Sequence, residues 1–380
     1  MELIFWQNIL SPHQAPFLRA LAELGHEVTV VTAAAMTRDR LDLGWQTPEM
    51  GLARVVVGPR DGEIEALIAS SSHEAVQVMA GARGTRFGNV ALGHVRRLKR
   101  RVGIMTEAPD PRGLTGLARW AKYTRERCTR GWRYDFVLAM GEMGVRWFRA
   151  CGYREARLFP FAYVTEPVST PSEPASRNQF SALYVGQFIV RKGLDLLLRG
   201  LAAATANHSQ LRLLGTGPEQ SALQQLARKL GIEADVVWLA RQDAAGVQRE
   251  MARADVTLLP SRHDGWGAVV NESLMAGTPV ICSDACGAAE LIRHPWLGSV
   301  IRAGSVNELC GALRKWIECG KRKPEERVQI QRWADCITGD VVAVYFAAIM
   351  EHVYAGATKP RAPWRGAQLN SGLVAVPGSV

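Results

Sequence analysis

Twice along this chain, short apolar runs of strand character alternate with stretches of helical period, and between the two series the pattern breaks. Leu3-Ile4-Phe5-Trp6 reads as a strand. Ser11-Pro12 is expected to open a helix, with Ser as N-cap and Pro at the first helical position. Phe17, Leu18, Leu21 and Leu24 supply its apolar face, Gly25 closes it, and Val28–Val31 is the next strand. Further strands are expected at 54–57, 75–79, 102–106 and 136–139. Residues 160–180 then carry four prolines and several serines with neither period, and mark a linker. Alternation resumes at Ala182–Val185. Helices near 193–205, 218–230, 245–253 and 268–276 alternate with strands near 211–214, 235–239, 256–259 and 279–282, and helices near 305–319, 325–334 and 339–354 close the series. Such alternation predicts parallel sheets with helices on both faces, so the fold class is α/β with two doubly wound domains. In sheets of this kind a ligand sits at the carboxyl ends of the strands, here expected in a central cleft that the two domains face.

The expected domains are 1–165, a linker at 166–180, and 181–338, with a C-terminal helix at 339–356 returning to the first domain. Residues 357–380 are rich in Pro, Gly, Ala and Ser and are expected to be disordered.

A chain of 380 residues supports two cores. Its 47% hydrophobic and 22% charged residues are those of an ordinary soluble protein. No apolar run reaches the roughly 18–20 residues that span a bilayer. The start, MELIFWQNIL, lacks a basic n-region and reads as a buried strand rather than a signal peptide. The seven cysteines are scattered without a CxxC pair, as expected of reduced thiols in the cytoplasm. The net charge of +10 is concentrated in residues 94–133, where Arg and Lys interleave with Trp120, Tyr123, Trp132 and Tyr134. That stretch is either a solvated basic surface or a face for anionic membrane lipid or an anionic acceptor. No nucleic-acid-binding motif accompanies it, so no nucleic acid is expected as partner.

The chemistry concentrates in residues 260–290. Asp264 and Glu272 flank a glycine turn, Gly265-Trp266-Gly267, that leads into a helix between two strands. Free N–H groups of a first helical turn and the helix dipole suit an anion, and glycine allows close approach. The two carboxylates can hold hydroxyl groups on either side of it. A phosphate flanked by sugars is a nucleotide sugar. Upstream, a strand ends at Gly186, and its loop delivers Arg191 and Lys192, which can neutralise a diphosphate and stabilise it as it leaves. Another strand runs into Gly215-Thr216-Gly217, which is either a simple strand–helix turn or part of the same site. A strand ending at Leu239-Ala240-Arg241 offers backbone for a nucleobase.

The order YVGQFIVRKG, LLGTGPE, LAR, DGWGAVVNESLMAGTPVI and GAAE resembles family 4 retaining glycosyltransferases of the GT-B fold. The resemblance is specific over about residues 181–292 and weaker over the N-terminal domain. It implies a retaining, hexose-type transfer from a nucleoside diphosphate sugar to an acceptor hydroxyl. Glu272 would then bind the ribose. Asp264 would sit beside the transferred sugar, with the backbone of Trp266, Gly267, Ala268 and Val269 near its hydroxyls and the phosphate. This chain departs from the family at two donor positions: Asp264 replaces the usual Glu, and Gln187 stands where an arginine usually follows Gly186. A third departure is the loop after the first strand, Gln7–Gln14, which has no glycine pair.

On the acceptor side, His13 and Glu107 are the candidates, each weighed against a plain surface role, and Gly141-Glu142 is a weaker one. Asn207-His208-Ser209 and Asn271-Glu272-Ser273 fit the glycosylation sequon by chance. No His/Cys/Asp cluster has metal-ligand spacing and no DxD triplet occurs, so neither a metal nor another cofactor is expected. The expected setting is bacterial surface polysaccharide or glycolipid synthesis at the inner face of the cytoplasmic membrane. The alternatives are a catalytically silent GT-B protein that binds a sugar nucleotide or a partner, and a sugar-nucleotide epimerase.

Overall fold

A computed structural model describes residues 1–41, 44–81, 85–129, 134–166, 179–204 and 209–366. They form two compact units. Among the described residues, the first comprises 1–166 and 337–363, and the second 179–336 and 364–366.

The first unit is built on β1 (Glu2–Gln7), β2 (Glu27–Thr32), β3 (Arg54–Val57), β4 (Val76–Ala80), β5 (Arg101–Thr106), β6 (Phe136–Met140) and β7 (Leu158–Phe161). Their spatial order is β3-β2-β1-β4-β5-β6-β7, and every neighbouring pair is parallel. Along β1 the side chains alternate between faces. Ile4 and Trp6 join a core with Val102, Ile104 and Phe148. Phe5 faces the other way and meets Phe17 and Phe346, with ring centroids 5.8 Å away in each case. Phe346 belongs to the helix Gly339–Ala355, which packs on the helix Ala15–Glu23. The polypeptide therefore returns to the unit in which it began.

The second unit is built on β8 (Phe180–Val185), β9 (Ser209–Leu214), β10 (Val236–Leu239), β11 (Val256–Leu259), β12 (Val280–Ser283) and β13 (Gly298–Ile301), in the order β10-β9-β8-β11-β12-β13, again all parallel. Ala182 and Tyr184 enter one core, and Leu183 and Val185 the other. A strand covered on both faces needs apolar residues at every position, which is why β8 reads as an unbroken run.

The sheet order explains where ligands belong. In each sheet the strand that is first in sequence is flanked on both sides by later ones, so the loops after β1 and β4, and after β8 and β11, diverge at a topological switch point.

Several expectations need correction. The first helix starts at Ala15, not at Ser11-Pro12: the N–H groups of Gln14 and Ala15 both donate to the Ser11 carbonyl, and Pro16 takes the early helical position. Residues 160 and 161 complete a strand instead of opening the linker. Pro160 is tolerated because β7 is an edge strand, where a missing N–H breaks no ladder. The rest of the expected linker, 167–178, lies outside the described residues. The helices Gly113–Thr129 and Gly141–Ala150 had no expectation attached. In Gly113–Thr129 only Gly116 is buried, so an inward apolar stripe is missing. The expected disorder from 357 meets a short helix, Pro363–Gly366, because Trp364 is buried and donates to the Glu290 carboxylate at 2.9 Å. Residues 367–380 lie outside the described residues. Among the described residues, 324–355 is the one stretch long and apolar enough to cross a membrane. It is divided between the helices Pro324–Ala334 and Gly339–Ala355 by a 3-10 turn.

Candidate functional site

Two loops of the second unit meet at the switch point between β8 and β11. The first leaves β8 at Gly186 and makes one 3-10 turn, Val190–Lys192, which presents Arg191 and Lys192. The second runs from Pro260 to Asp264. They are fastened along the backbone: the Arg262 N–H donates to the Arg191 carbonyl at 2.8 Å, and the Arg191 guanidinium donates to the His263 carbonyl at 2.9 Å. Arg262 also donates to the Val190 carbonyl at 2.8 Å and forks onto both oxygens of Asp195 at 2.7 Å. That hydrogen-bonded guanidinium holds the Asp195 carboxyl below its usual range.

Across this junction Lys192 Nζ lies 2.5 Å from Asp264 Oδ2, and Arg191 Nη1 lies 3.6 Å from Asp264 Oδ1. Asp264 is only 9% exposed, so its charge is compensated by these two cations rather than by bulk water.

The GTG turn packs against the same loop. Gly186 N–H donates to Leu214 O at 3.0 Å, Phe188 N–H to Thr216 O at 2.9 Å, and Glu219 N–H to Phe188 O at 3.1 Å. A Cβ on Gly215 would stand 1.9 Å from the Gly186 carbonyl oxygen. This glycine is thus required by loop-on-loop packing, whatever else the turn binds. Tyr184 supports the loop from beneath by donating its hydroxyl to the Gln187 carbonyl at 2.9 Å.

Asp264 is itself held in an isolated parallel bridge to Cys286, with Asp264 N–H on Ala285 O at 2.8 Å and Gly287 N–H on Asp264 O at 3.1 Å. Trp266 turns inward, is 1% exposed, and donates its indole N–H to Asn271 Oδ1 at 2.8 Å. Asn271 is fully buried, so this sequon offers no glycosylation site. Gly267 takes φ +92, a conformation that side-chain-bearing residues rarely adopt, and a Cβ there would meet Cys286 Sγ at 2.6 Å. With Trp266 buried, the partly exposed surface between Asp264 and Glu272 is Gly267, Ala268 and Val269. The helix that follows, Val269–Met275, has only seven residues, and one first-turn N–H, that of Val270, is already taken by Gly267 O at 2.9 Å. Fewer free N–H groups are left there than the sequence pattern implied. Glu272 is partly buried in the first turn of this helix, and desolvation pushes its carboxyl up to about 7 against the pull of Lys192. Arg241 lies exposed beyond β10.

His13 and Glu107 belong to the other unit. His13 lies in the turn before the first helix and not on it. Its ring packs edge-on against Trp45 at 4.9 Å, and Arg40 covers the same indole at 4.6 Å. His13 Nδ1 is buried without a hydrogen-bond partner, and burial together with the Arg40 charge lowers its pKa to about 4, so the ring is neutral at pH 7. Glu107 follows β5, is exposed, and hydrogen-bonds the Tyr163 hydroxyl.

Sequence reasoning missed Arg262, Asp195 and Tyr163. Arg262 sits two residues before Asp264 and was readable as a local cation, but Asp195 and Tyr163 carry no signal of their own. Among the described residues no group of three or more His, Cys, Asp or Glu side chains is placed to hold a metal ion.

Comparison with known proteins finds the family of glycosyl transferases group 1 over residues 169–332. The D-inositol 3-phosphate glycosyltransferase of Rhodococcus erythropolis is 30% identical over 161 residues, 40% of this chain and 36% of that protein. The lipopolysaccharide glucosyltransferase WaaG of Escherichia coli is 32% identical over 136 residues, 35% of this chain and 36% of that protein. The chain thus spans about a third of the length of the curated relatives it matches. The crystal structure of Anabaena HepE in complex with UDP superposes with a TM-score of 0.71 at 17% identity, over 91% of this chain and 98% of that one. At that identity the likeness shows the fold: two Rossmann-like α/β units of the GT-B type.

Proposed function

We propose that this chain, whose residues 169–332 match the glycosyl transferases group 1, moves a sugar from a nucleoside diphosphate sugar to an acceptor hydroxyl. The observation that carries the reading is the Lys192–Asp264 pair, 2.5 Å apart at the switch point of the second sheet, with Arg191 beside it. Lys192 and Arg191 receive the diphosphate, Glu272 the ribose, and Asp264 a hydroxyl of the transferred sugar. Gly186, Gly215, Gly217 and the backbone of Trp266–Val269 shape the donor pocket, and Arg241 lies where the base rests.

The reaction proceeds with retention. The bond from the anomeric carbon to the leaving phosphate breaks, the acceptor oxygen bonds on the same face, and its proton passes to the leaving phosphate. The two cations stabilise the charge that develops, so no divalent metal is required. Relatives named for lipopolysaccharide and inositol phosphate glycosylation support a surface-glycan or glycolipid acceptor. The basic, apolar helix Gly113–Thr129 supports work at the inner face of the cytoplasmic membrane: Leu114 is 85% and Leu117 60% exposed.

The test is a panel of UDP-, GDP- and ADP-sugars, scored for nucleotide release with and without a chelator. Release that survives chelation and is lost in Lys192→Ala supports the reading, and strict dependence on a divalent cation refutes its metal-free part. The second reading, a silent sugar-nucleotide or partner-binding protein, is favoured by Gln187 at the position of a family arginine. Binding without release in the same panel would establish it.

A further inference from the structure

Three strands of the first sheet, β1, β5 and β7, end close to polar residues that the donor chemistry does not use: Gln7, Glu107 and Tyr163. Gln7 Nε2 donates to Gln14 Oε1. Gln14 in turn hydrogen-bonds the Tyr163 hydroxyl, which also bonds the Glu107 carboxylate. The donor directions follow from the groups. Gln14 has its carbonyl oxygen occupied by Gln7, so its NH2 serves Tyr163. The phenolic proton goes to the Glu107 carboxylate, which can only accept. The result is a one-way chain, Gln7 to Gln14 to Tyr163 to Glu107, that ends on an exposed carboxylate at the carboxyl edge of the sheet. The backbone on either side of it is tied down: Val164 N–H donates to His13 O at 3.0 Å. Burial and the facing carboxylate keep the Tyr163 phenol well above its ordinary pKa, so it remains a donor at any working pH.

We infer that Tyr163 is a positioning residue, which with Gln14 and Gln7 fixes the Glu107 carboxylate so that it accepts a hydrogen bond from a neutral sugar hydroxyl of the acceptor. A carboxylate accepts about four hydrogen bonds, so the phenol directs it without exhausting it. The inference rests on the sugar-transfer reading. It adds the residue that orients the acceptor and the class of acceptor group, an uncharged polyol face rather than a phosphate, which the carboxylate would repel.

The probes are the methyl α-glycosides of glucose, galactose and mannose, with binding followed by saturation-transfer NMR. One of them is expected to bind the wild-type protein saturably. Tyr163→Phe should weaken that binding about 10- to 100-fold, as expected for one lost hydrogen bond to a charged group. UDP affinity should stay within twofold, because the donor residues lie in the other unit. Glu107→Gln should weaken glycoside binding comparably, and Tyr163→Phe/Glu107→Gln should be no worse than Glu107→Gln alone. A merely structural tyrosine would lower the melting temperature and would add its effect to that of Glu107→Gln. Glycoside binding unchanged in a folded Tyr163→Phe protein overturns the inference, as does a wild-type protein that binds UDP but none of the glycosides. A wild-type protein that binds the glycosides but no nucleotide instead overturns the donor reading.

Discussion

Lys192 Nζ and Asp264 Oδ2 are 2.5 Å apart although 72 positions separate them in the chain, and each side chain is almost wholly withdrawn from water. A charge-assisted contact this short, screened so little, orients both groups before any ligand arrives.

Lys192→Met should therefore act twice. It leaves Asp264 with only the longer Arg191 contact, which should cost about 3 kcal/mol of stability, the low end for breaking a buried pair. It should also lower kcat by about 100- to 1,000-fold, as for loss of one preorganised donor to a leaving group. Chemical denaturation and steady-state kinetics separate the two effects. A variant that keeps its stability and its kcat would remove this pair from both roles.

Gly215→Ala tests the loop-on-loop packing. The new methyl would stand 1.9 Å from the Gly186 carbonyl, so backbone must move. A loss of about 1–3 kcal/mol is expected, together with weakened UDP binding because the Gly186 loop carries Arg191 and Lys192. Thermal melts with and without UDP read both. An unchanged melt would mean that the loops separate at no cost.

Glu272 makes stability depend on pH with a definite sign. Its folded pKa, about 7, stands above the ordinary 4.5 because burial disfavours the charge. Between those values the folded protein keeps a proton that the unfolded chain has lost. The contribution of Glu272 is therefore complete below about 4.5 and falls away as pH rises through 7. Wild type should lose stability relative to Glu272→Gln between pH 5 and 8. Parallel curves for the two proteins would contradict this.

The basic region can be dissected at a membrane. Arg97 and Arg101 pair with Glu65 and Glu74, so their charge is already answered within the unit. Leu114 and Leu117 stand exposed on the same helix as Arg119, Lys122 and Arg125. Leu114→Ser/Leu117→Ser should abolish sedimentation with vesicles containing phosphatidylglycerol, and Arg97→Ala should change it little. Equal binding by all three proteins would exclude this helix as the contact.

Most of the junction between the β8 and β11 loops was legible because its signals are local. Strands β8, β9 and β11 show as largely apolar runs, each closed by glycine or proline; Arg191, Lys192 and Asp264 lie five to seven residues past the ends of β8 and β11, and Glu272 lies on the helix that follows. Strand β13 was not legible: Gly-Ser-Val-Ile is short, half polar and at the edge of its sheet. The start of the first helix was misplaced because two proline-bearing turns lie four residues apart, and only the hydrogen bonds to Ser11 decide between Pro12 and Pro16. Trp364 looked like part of a loose tail because its burial depends on Glu290, which no local pattern connects to it.

The sequence by itself determined that this chain forms two α/β units with parallel sheets, since period and glycine placement are local properties and local sterics enforce them. It also determined which charged residues end the strands of the second unit. Tertiary structure alone decided that β8 lies beside β11, that Lys192 therefore meets Asp264, that the inward turn of Trp266 leaves Gly267–Val269 as the accessible backbone, and that Tyr163 bonds Glu107. These pairings come from packing two faces of a sheet at once, and the free energy of that packing is shared among residues that are distant in the chain.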